Sequence, residues 1–282
     1  MTAWIDEVAW PAQGPPWLAM GLTRIGDAEW LLPDEHRPTE LAQRRKLLDD
    51  RHGEVFGALE GLEPAGREVL DLVVAWEEEH RPDLAGLPID EHLHPLEAAG
   101  RRVQEDLVLM VAHPDGYHLD AAVLCFPSHW RLVDKLGGSA LAIHGPVPRY
   151  REELADKVDR FLDRLRPDVV VARRNWSVHD DDALHAPDAP LAPRPVTVHE
   201  VPTSLWLRSE RQTLRRLPET GAVLFTIRVQ QAPFAAFADH PRAAERLANR
   251  LVAQPSELTE MNGLAPHHAS VVAWLGSIAA SA

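Results

Sequence analysis

Five β-type segments and one amphipathic helical segment follow one another between residues 104 and 232, and their order constrains the fold more than any other feature. Residues 106–112 are apolar and rich in strand-forming side chains. The turn residues 113–116 separate them from a second strand-like run at residues 118–126. Turn residues between two such runs are typical of a hairpin. The sequence therefore predicts an antiparallel pair at the start of this region.

An amphipathic helix and three more strands complete the region. The helix is predicted over residues 148–165, because its apolar side chains recur with helical spacing. The strands are predicted at residues 169–178, 204–216 and 222–229. Two strands, short helices, a long helix and three strands are the serial order of a PAS-like sheet, in which five antiparallel strands hold a ligand against helices. The predicted fold class is α+β, with a helical N-terminal extension.

The N-terminal region is predicted to wrap over this core. Residues 1–38 combine scattered prolines with four tryptophans that can anchor a cover: Trp4, Trp10, Trp17 and Trp30. Helices are expected from Thr39, as an N-cap, to about Phe56, and over residues 66–79 and 96–103. These patterns predict an N-terminal wrapping and helical region (1–103), a ligand-binding core (104–232) and a C-terminal helical region (233–282).

Composition excludes several classes of protein. The chain has 43 acidic and 29 basic side chains and a net charge of -14, which opposes binding to a phosphate backbone. No apolar run is long enough to span a membrane, and the first residues have no signal-peptide pattern. We therefore expect a cytoplasmic protein that binds neither nucleic acid nor membrane. The single cysteine, Cys125, excludes an intrachain disulfide and a thiolate-held iron–sulfur cluster.

Two side chains are candidate ligands for a metal-bearing cofactor. His144 precedes Gly145 and two prolines that hold the backbone extended, so the direction of its ring is fixed. Haem needs only one imidazole from a protein, whereas zinc needs three or four ligands. Cys125 is the rival ligand. Each residue also has an ordinary interpretation, as a packed histidine and as a small apolar core residue.

Other histidines near this region show no metal-binding spacing. His113, His118 and His129 match no metal triad and are expected to be surface or turn residues.

Charged side chains alternate along the last two predicted strands. Arg208, Glu210 and Gln212 share one face of a strand, Arg211 lies on the other, and Arg228 follows an apolar run on the next strand. Buried guanidinium groups need partners. They either form an ion-pair network with residues such as Glu210 and Asp106, or bind an anion or a bound oxygen species.

Three further residues are candidates for the lining of a pocket. Lys135 is either a general acid or substrate contact, or a solvated helix residue. Asn175 and Trp176 end a predicted strand, where they can line a pocket or belong to an ordinary core. No Gly-x-Ser-x-Gly, His-Glu-x-x-His or phosphate-binding glycine motif occurs, so hydrolase and nucleotide-binding activities have no local signal.

Several short strings together resemble the α subunit of the haem-dependent oxidative N-demethylase family over residues 15–265. They include Cys125-Phe-Pro-Ser128, Asp134-Lys-Leu-Gly137, Ile143-His-Gly-Pro-Val-Pro148, Glu210-Arg-Gln-Thr213 and Phe225-Thr-Ile-Arg228. The resemblance implies a PAS-like enzyme that binds haem b and oxidises a small secondary amine, such as dimethylamine, with O2. It also implies partner subunits that carry FMN, an iron–sulfur cluster and tetrahydrofolate and act as the reductase.

The resemblance also assigns roles to residues. His144 is the expected axial ligand, and Arg211 and Arg228 are expected on the oxygen or propionate side. Asn175 and Lys135, which the resemblance does not assign, are further catalytic candidates. Trp176 and Arg208 are expected to contact the cofactor. The acidic excursion 180–195 and His129 depart from the family pattern. The alternatives are a haem-based gas sensor without turnover and a relative that has lost haem.

Overall fold

The structure is a computed structural model that describes residues 2–8, 20–84, 86–145, 147–188 and 194–280. The described strands are β1 (Thr23–Ile25), β2 (Phe56–Ala58), β3 (Asp106–His113), β4 (Gly116–Val123), β5 (Val170–His179), β6 (Trp206–Arg216) and β7 (Val223–Pro233). The described helices are α1 (Trp4–Glu7), α2 (Arg37–Asp50), α3 (His52–Val55), α4 (Glu63–His80), α5 (Pro95–Gly100), α6 (Ala140–Ile143), α7 (Tyr150–Glu153), α8 (Ala155–Arg164), α9 (Val201–Ser204), α10 (Pro241–Ala253), α11 (Ser256–Met261) and α12 (His268–Ala279).

The strands form one antiparallel sheet in the order β1-β5-β6-β7-β3-β4-β2. The α+β prediction is confirmed, and each of the five predicted strands is present. The expected number of strands is too low, because two short segments of the N-terminal region pair at the edges, β1 with β5 and β2 with β4. Both segments have only three residues, too few for a period of two to stand out in the sequence.

The predicted hairpin is β3–β4, and its turn depends on Gly116. This glycine has a φ of 123°, a conformation that other residues rarely adopt. The register shifts between Leu109 and Met110, where Leu109 pairs with Ala121 and Met110 with Leu119. Asp120 is therefore an extra residue on β4, as in a β-bulge.

The N-terminal region covers one face of the sheet. Trp4 and Trp30 are buried, as expected of anchors, whereas Trp10 and Trp17 lie outside the described residues. Helix α2 begins at Arg37, so Thr39 lies inside the helix and is not its cap. Strands β1 and β2 join the same sheet as the core, so residues before and after position 103 both contribute strands to it. The domain boundaries at 103 and 232 stay predictions.

The predicted continuous helix at residues 148–165 is wrong. The segment forms α7 and α8, separated by Leu154 with φ -126° and ψ -35°. Leu154 is buried. Arg149, just before α7, has a φ of 63°. Helical spacing of the apolar residues survives such a break, because each short helix still points its own apolar side chains inward.

The two faces of the sheet carry different side chains. Side chains alternate between the two faces along each strand. Arg173 and Asn175 on β5 therefore share one face with their partners on β6, Gln212 and Glu210. This is the His144 face, on which α8 packs: Arg216 donates to the Leu162 and Leu165 carbonyls.

The opposite side is the N-terminal face. It carries Arg174, Arg211, Thr213 and Arg228. A second hydrophobic cluster lies where the ends of β5 and β6 meet α10 and α12. Among the described helices, none combines the length and apolar character needed to cross a bilayer.

Candidate functional site

His144 follows the last residue of α6 and lies in a small pocket. Its Nδ1 is 2.8 Å from the carbonyl oxygen of Ala140, which leaves Nε2 as the ring atom able to bind a ligand. The imidazole stacks on the phenol ring of Tyr150, with centroids 4.5 Å apart and planes tilted by 9°. The pocket has a volume of about 270 Å³ and is lined by residues 141, 144–145 and 147–152.

The surroundings keep this imidazole neutral. The His144 residue is exposed to solvent, but neighbouring protein atoms crowd its ring, and this desolvation lowers the pKa of His144 below its usual value. The positive charges of Arg173 and Lys135 lower this pKa further, while the hydrogen bond to Ala140 acts in the opposite direction. A neutral imidazole with a free Nε2 is the form that binds a metal.

Polar side chains lie on the sheet face that His144 approaches. The side-chain amides of Asn175 and Gln212 donate to the same oxygen of Glu210, at 3.1 and 2.9 Å. Burial lowers the pKa of Arg173, and the negative charge of Glu210 partly offsets that effect. Since the charge of Arg173 acts on both Glu210 and His144, these three residues belong to one polar region.

The structure does not bring Arg211 and Arg228 into this region. Arg211 lies on the N-terminal face and donates to the carbonyls of Glu29 and Trp30. Arg228 is fully buried on the same face and pairs with Asp34 at 2.7 Å and Glu40 at 2.9 Å. A role for either arginine at a haem stays a prediction, and the buried contacts of both favour a structural role.

The remaining predicted site residues have distinct positions. Lys135 lies close to His144, and its Nζ donates to the carbonyl of Ile143 at 3.0 Å. Arg208 is buried on the His144 face and donates to the carbonyls of Phe126, Ala183 and Leu184, so it fixes the start of the acidic excursion. Trp176 packs against the second hydrophobic cluster, on the N-terminal face.

Cys125, the rival ligand, lies in the hydrophobic core. It has no exposed surface, and its backbone N–H donates to Asp106 at 2.8 Å. Burial raises the pKa of Cys125 to about 12, an effect that the nearby Arg44 only partly offsets. The thiolate, which is the form that binds iron, is therefore disfavoured.

His129, one of the departures from the family pattern, packs on a second histidine. Its ring lies 5.1 Å from that of His179. Burial, helped by the charge of Arg208, lowers the pKa of His179 to about 3. The Nε2 of His179 is within hydrogen-bond distance of the hydroxyls of Ser128 and Ser177, both at 3.1 Å. This cluster joins the segment at residues 128–129 to the end of β5.

Sequence reasoning missed Arg173 and Tyr150. The alternation of β5 places Arg173 on the same face as Asn175, so the pattern of that strand contained a signal for the arginine. Tyr150 had no such signal, because its contact with His144 depends on the backbone between the two residues, where Arg149 has a φ of 63°.

These features define an α+β protein in which a neutral imidazole approaches a polar sheet face beside a small pocket. The family model of haem-dependent oxidative N-demethylase, alpha subunit-like proteins matches residues 77–272, which is well over half of the chain. The chain belongs to this family. The description of the family implies a haem-dependent oxidative enzyme with more than one subunit.

The donor set fits haem, which requires one neutral protein imidazole. Nε2 of His144 meets this requirement. The adjoining pocket, at about 270 Å³, is slightly below the roughly 300 Å³ at which pockets for small organic ligands begin. A complete porphyrin is larger than this pocket, and the residues that line the pocket all lie between 141 and 152, outside the sheet.

Proposed function

We propose that this chain binds haem b through His144 and carries out oxidative N-demethylation of a small secondary amine such as dimethylamine. In the balanced reaction, dimethylamine, O2, two electrons and two protons give methylamine, formaldehyde and water. The electrons come from reductase partner subunits that carry FMN and an iron–sulfur cluster, and a partner also carries the tetrahydrofolate site. The membership in the family supports this reaction, and the five inner strands keep the serial order expected of a PAS-like haem domain.

The observation that carries the proposal is the state of His144. Its Nδ1 is fixed by the Ala140 carbonyl, its pKa is lowered, and its ring lines a pocket. Haem bound there would supply the iron at which O2 is activated. Cys125 is a poor alternative, because its buried thiol stays protonated.

Residues on the His144 face have complementary roles in this proposal. A secondary amine is cationic near neutral pH, and the carboxylate of Glu210 can accept its N–H. Asn175 and Gln212 hold that carboxylate in place. Arg173 supplies a fixed positive charge next to His144, where it can stabilise negative charge that develops on oxygen or can pair with a propionate. Lys135 positions the end of α6 through Ile143.

The test is an absorption spectrum of the purified protein after expression with added iron and haem precursor, compared with His144→Ala. We expect a Soret band in the wild type and a lost or strongly altered band in the variant. The matched control is His199→Ala, because His199 is an exposed histidine far along the chain from the pocket. Full haem content and an unchanged spectrum in His144→Ala would exclude this ligand.

Addition of dimethylamine and a reductant distinguishes the proposal from its alternatives. Formaldehyde release that depends on both O2 and haem supports the N-demethylase. A haem spectrum that responds to O2 without formaldehyde release would identify a gas sensor. A colourless protein would identify a relative that has lost haem.

A further inference from the structure

Three potential metal ligands converge on the β3–β4 hairpin, outside the His144 pocket. The ligand atoms of His113, His118 and Asp120 all lie within 4.8 Å of one another. Nε2 of His113 is 2.7 Å from Oδ2 of Asp120, and the two imidazole rings stack with centroids 4.3 Å apart. Within the described ranges, this is the one group of three or more histidine, cysteine or carboxylate side chains with such spacing.

The backbone of the hairpin brings these side chains together. Val111 pairs with His118, so His113, two residues after Val111, lies on the same face as His118. Asp120 is the extra residue of the bulge, and bulges redirect side chains. The Asp120 carbonyl also accepts a hydrogen bond from the Leu59 N–H at 2.8 Å, which fixes the bulge to the end of β2.

An unsatisfied carboxylate oxygen points to a missing cation. Asp120 is only 3% exposed, and its Oδ1 is buried without a hydrogen-bond partner among the described residues. Its other oxygen has only a histidine nitrogen, at 2.7 Å. A buried carboxylate oxygen without a donor or cation is costly, and metal coordination is one of the usual ways to satisfy it.

A backbone carbonyl oxygen already holds Nδ1 of His118, as it does for the non-coordinating nitrogen in many metal sites. Nδ1 of His118 is 3.0 Å from the carbonyl of Gly137, which orients the ring and directs Nε2 outward. Nε2 now contacts Oδ1 of Asp115 at 2.9 Å, and the Asp115 side chain is largely exposed. A cation can therefore replace the Nε2 proton without a change in the backbone.

We propose that His113, His118 and Asp120 form a binding site for a divalent late first-row transition-metal ion such as Zn²⁺. Two imidazoles and one carboxylate suit such an ion better than Mg²⁺ or Ca²⁺, which prefer oxygen ligands. The His113 side chain is 37% exposed, so a further coordination position faces solvent. The site takes one ion and does not involve the haem iron.

The position of the site gives the ion a structural role. His118 forms an isolated β-bridge with Ser139, and the Ser139 hydroxyl caps α6, the helix that leads to His144. The N–H of Leu119 donates to the Gly138 carbonyl, which adds a second link to the same segment. A metal on the hairpin therefore restrains the backbone that carries His144.

The test measures metal binding directly, with the full untagged chain after dialysis against EDTA. Equilibrium dialysis with Zn²⁺ and titration calorimetry should show one ion per chain with a Kd of about 1 µM or lower. His113→Ala and Asp120→Asn should each weaken this binding by about 100-fold or more. His199→Ala, in which another exposed histidine beside a carboxylate is removed, should bind Zn²⁺ as the wild type does.

Unchanged binding of Zn²⁺ by both ligand variants would overturn the proposal, and so would a wild type without a site of this affinity. His113 is exposed, so its variant should fold and keep the test decisive even if Asp120→Asn unfolds. Because the result is a metal count and an affinity, it is independent of haem content and of amine oxidation.

Discussion

Replacement of Arg228 by methionine should destabilise the fold because it leaves two carboxylates without their cation. Arg228 is fully buried and pairs with Asp34 at 2.7 Å and Glu40 at 2.9 Å. The Glu40 side chain is nearly buried, whereas that of Asp34 is 22% exposed and can regain water. Removal of one partner of a buried pair costs about 3–5 kcal/mol, and most of this cost should come from Glu40.

The loss of stability in Arg228→Met should depend on pH, in a direction that follows from the ionisation of Glu40. Burial already raises the pKa of Glu40 above its usual 4.5, and Arg228 opposes this effect. Without Arg228, the pKa of Glu40 in the folded state rises further, so the folded chain binds a proton more tightly than the unfolded chain. Stability then falls as pH rises from about 4.5 through the folded pKa. The deficit of Arg228→Met should be smaller at pH 5 than at pH 8.

Urea unfolding followed by tryptophan fluorescence at these two pH values measures both effects. The controls are Glu40→Gln alone and the double variant that combines it with Arg228→Met. The double variant also removes the Glu40 charge that Arg228→Met leaves uncompensated. We expect a favourable coupling of about 1–3 kcal/mol between the two substitutions at pH 8. A deficit below about 1 kcal/mol, or an equal deficit at both pH values, would refute the assignment of Arg228 to this buried network. Loss of haem without loss of stability would instead place Arg228 at the cofactor.

Three further predictions concern the core, the site and the rival ligand. Gly100→Ala should lower the free energy of unfolding in urea by about 1–3 kcal/mol, because a Cβ there would lie 2.7 Å from a buried valine methyl of β4. Gly53→Ala, which has open space around it, should lower it less. Arg173→Gln should raise the pKa of His144, because it removes a nearby positive charge; an unchanged NMR titration would contradict their proximity. Cys125→Ala should leave the haem spectrum unchanged, and the wild-type thiol should react with iodoacetamide only after unfolding, since burial holds its pKa at about 12.

Local patterns predicted much of the architecture. The five inner strands and helix α4 were expected because apolar residues recur with periods that each element imposes on its own side chains. The edge strands β1 and β2 were not expected, since three residues carry too little pattern. The break at Leu154 was missed because helical spacing continues across it.

The sequence by itself determined the five inner strands, helix α4 and their order, because each follows from nearby residues, and the family resemblance made His144 the leading ligand candidate. Tertiary structure decided which arginine acts on that histidine through its charge: Arg173 shares its side of the sheet, whereas Arg211 and Arg228 are buried under the N-terminal region. It also decided that His113 and His118 meet Asp120, because strand register and a bulge set that contact. A period of two separates the faces of a strand, but only the segments packed on each face determine which one becomes a site.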